Sequence, residues 1–333
     1  MASSYSNIHP VDQILTSLVN EAIPSDNQLI ADKVLETVKI PERSGTLLLE
    51  ETRNFMGAGA GLDLERAPGS SRATIGGFDR SSQTYKALIY GASDSIAMED
   101  IFDSQYPGSE EARLAKKVSR VIKLAREKRC ADLLFGTANF NDADCGVTFG
   151  KKFNDTGATP LTYLHNLKDT VFANAHGINP DSLVFGRALF RELARNPEVR
   201  GYVGSSAAGI ASGNLILNDE AVISVLRDVL GIPNIYVGQA RQDTAVPGAT
   251  SSEAAIWTDD VLFMGILRGS DAIVQKSGNV KGMPVGALNL SFNSVVAGQY
   301  DSLDKTRRYV YAEEVGKFHA VDSTLGFILT DCL

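Results

Sequence analysis

Between Ser44 and Tyr85 the chain runs for about forty residues with few side chains able to form a core, and it then enters a long basic helical stretch from Ser109 to Phe135. At 1.5 Å per residue such a helix is about 40 Å long, too long for a small compact body to surround. A segment that cannot bury itself, followed by a rigid rod, suits a subunit completed by its neighbours and points toward assembly over catalysis. Within the weak segment, Thr46–Glu50 reads as a brief strand, and Asn54–Ser71, with Gly57, Gly59, Gly61, Pro68 and Gly69, as an exposed loop. Alternation resumes over Thr84–Tyr90, the expected returning strand of a long hairpin. Two strands alone are marginal in water, so this hairpin is expected to lie against something else and to order only in assembled material.

The helix signal begins at Pro107-Gly108, with Ser109 as the expected cap and Glu110 and Glu111 complementing the dipole. Leu114, Val118, Val121, Ile122 and Ala125 form one expected apolar stripe. Lys116, Lys117, Arg120, Lys123, Arg126, Lys128 and Arg129 occupy the other faces, with i,i+4 support from Glu111 and Glu127. A solvated surface is the plain reading of that basic side. The chain as a whole is acidic, at formal charge -8 and pI near 5.1, which favours contact with acidic surface of neighbouring subunits or with a packaged polyanion. The same balance argues against nucleic-acid coating by the whole molecule.

A chain of 333 residues, 44% apolar and 22% charged, can bury the core of one large or two modest domains. No run approaches the roughly 18 apolar residues of a membrane span, and Met-Ala-Ser-Ser-Tyr-Ser lacks signal-peptide character, so the chain is expected to stay in the cytoplasm that makes it. Cys130, Cys145 and Cys332 make neither a disulfide framework nor a metal pair and read as buried thiols.

Before the weak segment, Val11, Ile14, Leu15, Leu18 and Val19 keep helical spacing, and Leu29, Ile30, Val34 and Leu35 form a second apolar group, which fits a short helix on an extended arm. After the long helix, helices are expected over Leu161–Ala175, Arg187–Arg195 and Asn218–Leu230, the last between an Asn cap and Gly231. Buried strands are expected near Ser182–Gly186, Ile235–Gly238 and Val261–Leu267, and alternating runs over Arg308–Val315 and Leu325–Thr330. Helices and strands mix without regular βαβ alternation, so the fold class is α+β.

Chemical motifs fail on context. Met56-Gly57-Ala58-Gly59-Ala60-Gly61 lacks the preceding strand and following helix of a dinucleotide loop. Gly204-Ser205-Ser206-Ala207-Ala208-Gly209 misses a nucleophile elbow at Ala208 and reads as a small-residue turn. His9, His165, His176 and His319 have no metal-ligand spacing, and Asp142-Ala143-Asp144 lacks the later ligands of a calcium loop. Catalytic residues, cofactors and metals are accordingly expected to be none.

The order of parts resembles the major capsid proteins of tailed bacteriophages, the HK-ninety-seven-type fold that encapsulin shells share. The resemblance rests on Asn27–Ile40 followed by Ser44-Gly45, on Arg66-Ala67-Pro68-Gly69, on Asn179–Gly186 with Phe190, Leu193 and Pro197, and on Leu230–Ala240 with Ile256-Trp257. It implies an N-terminal arm (1–43), an extended β-hairpin loop (44–90), a peripheral domain (91–200, with spine helix 109–135), an axial domain (201–299) and a return to the peripheral domain (300–333). It further implies self-assembly into hexamers and pentamers of an icosahedral shell around double-stranded DNA held by non-specific contact. A portal, a separate scaffold protein and a decoration protein are the implied partners. The implied location is the virion, with assembly in the host cytoplasm.

Two departures bear on this. Met1 lies close to the arm, so a preceding scaffolding segment is not expected. No lysine lies between Ser44 and Tyr85, which argues against the lysine–asparagine crosslink of some relatives. The cations of the loop are Arg53, Arg66, Arg72 and Arg80. With Lys117 and Lys123 of the helix they are the expected assembly contacts. Alternatives are an encapsulin-like compartment loaded with enzyme and, from another class, a soluble α/β enzyme.

Overall fold

Two sheets and one long helix organise the chain in a computed structural model that describes residues 29–50, 65–66, 68–72, 80–103, 107–206, 217–246, 248–268, 273–274, 280–281 and 285–333. The first sheet has four strands in the order Thr37–Lys39, Ala287–Asp301, Arg307–Ala320, Leu88–Ala97. Thr37–Lys39 runs parallel to its neighbour, and the other pairs are antiparallel. The pairing of Ala287–Asp301 with Arg307–Ala320 shifts register twice, between Ser291 and Asn293 and between Asn293 and Val296. Such irregularities bend a strand and increase its twist.

The long helix spans Pro107–Leu134, 28 residues. It starts two residues before the expected Ser109 cap, because proline's fixed φ and missing N–H suit a first turn. The single expected stripe is also corrected. Val121 and Ala125 are exposed, whereas Ala115, Val118, Ser119 and Ile122 are buried in the first half and Glu127, Cys130, Ala131 and Leu134 in the second. At 3.6 residues per turn these two sets face directions about a third of a turn apart. The reason is that the helix meets two different bodies. Its first half packs on Val295, Ala297, Val310 and Ala312 of the four-stranded sheet. Its second half packs on Ile30, Val34 and Leu35 of the arm and on Trp257.

The second sheet has five strands in the order Asn141–Asp144, Gly326–Thr330, Leu262–Gly265, Ser182–Gly186, Asn234–Gly238. Its side chains alternate between two cores. Leu183, Phe185, Leu262, Met264 and Leu329 face the helices Pro160–Asn174, Arg187–Arg195 and Asp219–Leu230. Val184, Phe263 and Ile328 face the end of the long helix. Gly238 is required here, since a Cβ would lie 2.2 Å from the Trp257 ring. The expected domain boundary at residue 200 falls inside this sheet, because Ser182–Gly186 and Asn234–Gly238 are adjacent parallel strands.

The helix Asp219–Leu230 carries its expected signals. The Asn218 side chain accepts from the Ala221 N–H at 2.8 Å, and Gly231 stops the helix at φ 65°. A further helix, Pro197–Ser206, follows directly on Arg187–Arg195, so Gly204, Ser205 and Ser206 are helical and not in a turn. All three cysteines are buried free thiols.

The hairpin pairs Ser44–Glu50 with Arg80–Lys86. Its return therefore begins earlier than Thr84, and Leu88–Tyr90 belong to the four-stranded sheet. Its base is not coreless either. Leu47 and Tyr85 are buried among Val38, Ile40, Ala87, Val285, Leu288 and Leu290, because a hydrophobic residue on each strand meets the sheet edge just where the chain leaves it. The helical spacing at Val11–Val19 and the glycine run at Gly57–Gly61 lie outside the described residues.

Candidate assembly surface

The long helix holds the other elements through charged side chains from successive turns. Near its start, Glu111 accepts from the Arg308 guanidinium at 2.6 Å, and Arg308 also pairs with Asp301 at 2.8 Å. Six residues on, Lys117 donates to Asp94 of the neighbouring strand at 2.5 Å, which holds that carboxyl below the usual aspartate range. Farther along, Arg126 reaches Asp32 of the arm at 2.8 Å and Glu314 of the sheet at 3.0 Å. Arg129 also bonds Glu314 and lies 3.6 Å over the Tyr90 ring. The Glu314 side chain is only 4% exposed, so a buried carboxylate is neutralised by two guanidinium groups presented from one turn of helix.

Glu127 sits between these arginines and faces inward. Its carboxylate accepts from the backbone N–H of Ile30 at 2.8 Å, of Ala31 at 2.9 Å, and from Trp257 Nε1 at 2.8 Å. It thereby satisfies the N–H groups at the start of the one-turn helix Ala31–Val34. Burial raises its pKa, with the three donated bonds opposing. Sequence reasoning assigned Glu127 and Glu111 to i,i+4 pairs on the helix surface, but both reach to other elements. The available signal was a single acid within the basic run Lys123–Arg129.

At the hairpin base, Gln83 donates from Nε2 to the Val321 carbonyl at 2.8 Å, and its Oε1 lies 2.9 Å from His319 Nε2. The amide oxygen is the acceptor, so the imidazole carries its proton on Nε2. Burial and Lys317 lower the His319 pKa. The folded chain then holds this ring neutral, while the unfolded chain takes up a proton below about pH 6.5. Stability contributed here is complete above that value and is lost as pH falls toward the folded pKa. His319→Gln is expected to flatten the pH dependence of urea unfolding below about pH 6.5, and an unchanged profile would count against this role.

The expected contact residues are dispersed. Arg53 lies outside the described residues. Arg66 is exposed and donates to the Ser70 carbonyl at 2.6 Å, a contact within its own loop. Arg72 is exposed, and Arg80 opens the returning strand opposite Glu50. Lys117 is engaged with Asp94, and Lys123 is half-buried on the same helix. Among the described residues no cluster of His, Cys, Asp or Glu could hold a metal, and no helix is long and apolar enough to cross a membrane.

No protein-family model matches the chain. A major capsid protein of Pseudomonas phage JBD67 is 23% identical over 259 residues, 77% of this chain and 77% of that protein. The crystal structure of a phage-related protein from Bordetella bronchiseptica RB50 aligns with a TM-score of 0.67 at 16% identity, covering 97% of this chain and 98% of that one. The capsid structure of Cyanophage P-SCSP1u aligns with a TM-score of 0.55 at 10% identity, covering 92% and 90%. The chain has the HK-ninety-seven-type capsid fold. Its long helix is Pro107–Leu134, and its β-hairpin pairs Ser44–Glu50 with Arg80–Lys86. The charged turns of this helix hold residues 29–40 and the four-stranded sheet together, and Arg66 and Arg72 lie exposed.

Proposed function

We propose that the chain is a structural, non-enzymatic major capsid protein that closes into an icosahedral shell of hexamers and pentamers around double-stranded DNA. The observation that carries this reading is its similarity to the Pseudomonas phage major capsid protein across 77% of both chains, on a fold aligned over nearly its whole length. We further propose that the spine with the four-stranded sheet forms the peripheral domain and the five-stranded sheet with its helices the axial domain. Portal, scaffold and decoration partners belong to the same proposal, as does a place in the virion. Electron microscopy of the expressed protein is expected to show closed particles or capsomers, and nuclease-protected DNA within them. A small oligomer in solution would overturn the reading, and particles filled with a cargo protein would favour a compartment.

The loop arginines are proposed to pair with carboxylates of an adjacent subunit, for which arginine's planar fork is suited. Each contact is weak, but symmetry repeats it around the shell. Arg66→Ala with Arg72→Ala is expected to leave the subunit folded and soluble while lowering particle yield severalfold. Normal yield and normal heat resistance of double-mutant particles would show that these residues only solvate the loop.

A further inference from the structure

The helix Arg187–Arg195 sets Arg187, Arg191 and Arg195 four residues apart, on the side away from buried Leu189, Phe190 and Leu193. Across from this row stands Arg241, and the four arginines border one cavity of about 290 Å³. Two carboxylates share the lining, Glu192 and Asp259. Both are occupied: Glu192 accepts from Arg195 at 2.7 Å, and Asp259 accepts from the Ala188 N–H at 3.1 Å. Arg187 pairs with Asp219 at 2.7 Å, outside the cavity, and Arg241 approaches Glu253 only to 3.9 Å between two exposed side chains. Arg191 is exposed and has no ion-pair partner among the described residues. In a chain of net charge -8, four guanidinium groups around one cavity are a local reversal of sign.

The spacing identifies the kind of anion. Four helical residues rise about 6 Å, so the row presents guanidinium groups at regular steps along about two turns. A single small anion would use one of these steps. A polymer with a charge on every unit would use all of them, and guanidinium forks match phosphate oxygens two at a time. The exposed pairs that Arg195 and Arg241 now make are weak and screened by salt, so a phosphate can displace them. We infer that this arginine row is a sequence-independent site for the phosphodiester backbone of the duplex DNA held inside the shell. The inference rests on the capsid reading above and gives the non-specific DNA contact a location.

The test uses full-length protein, unmodified and as the double variant Arg191→Gln, Arg241→Gln. Binding of dissociated subunits to a duplex oligonucleotide is measured by fluorescence anisotropy across a salt series. The slope of log affinity against log salt is expected to shrink by about one for each arginine removed, and Arg191→Lys with Arg241→Lys should restore most of it. Particles of the glutamine variant should form in normal yield and release DNA at lower salt. An unchanged slope overturns the inference. If the slope is unchanged and particle yield falls, the row instead holds an acidic surface of another subunit. If unmodified protein forms no particles yet binds DNA through these arginines, the capsid reading fails and the site stands.

Discussion

Val118→Asp, or Ile122→Asp, is expected to leave the chain unfolded or insoluble. Both side chains are 3% exposed and pack on Val295, Ala297, Val310 and Ala312. An unpaired carboxylate there costs on the order of 4 kcal/mol or more, against a net stability of about 5–15 kcal/mol for an ordinary domain. The comparison is Lys117→Glu, on the same helix but 69% exposed. It loses the pair with Asp94, and such pairs contribute about 1 kcal/mol or less, so that variant should fold. Lys123→Glu should likewise fold while changing the salt dependence of assembly. Soluble yield and urea midpoints decide the matter: charge reversals as damaging as the buried substitutions would refute this division of the helix.

Glu127→Ala should detach the arm. It strands three buried donors, the Ile30 and Ala31 N–H groups and Trp257 Nε1, each costing about 1–3 kcal/mol when unpaired. Fast hydrogen exchange at residues 30–35 with the five-stranded sheet still protected is the expected signature, and uniform protection would exclude it. Glu127→Gln tests the charge separately. Burial holds the Glu127 pKa above its ordinary value of 4.5, so between those two values the folded chain binds more protons than the unfolded one. Its contribution is therefore best below about pH 4.5 and declines as pH rises through the folded pKa. The glutamine variant should lack this slope.

Much of the fold was legible where local chemistry decides it. Asn218 and Gly231 delimit a helix by cap and positive φ, and the all-buried strand Ser182–Gly186 announces itself by its unbroken apolar run. The Ala287–Asp301 strand carried no such sign, because its register shifts interrupt alternation and only its partner strands fix its course. The helix stripe was misplaced for a related reason: periodicity assumes one burying surface, and this helix has two. The contact residues were read as a list of exposed cations. Arg126, Arg129 and Glu314 were invisible as a unit because their pairing spans 185 residues of chain between Arg129 and Glu314.

The parallel pairing of Thr37–Lys39 with Asn289–Ser291 has a consequence for how the protein comes into being. The Thr37 and Asn289 side chains that bond across this ladder are 252 residues apart in sequence, and Leu88–Ala97 likewise waits for Arg307–Gly316. During synthesis at about 5–20 residues per second, both early strands must remain unpartnered until residues beyond 286 emerge from the ribosome. The five-stranded sheet also lacks Gly326–Thr330 until then. Closure of the subunit thus waits on pairings of high contact order, and a nascent chain halted near residue 286 would expose sticky strand edges to the cell's chaperones.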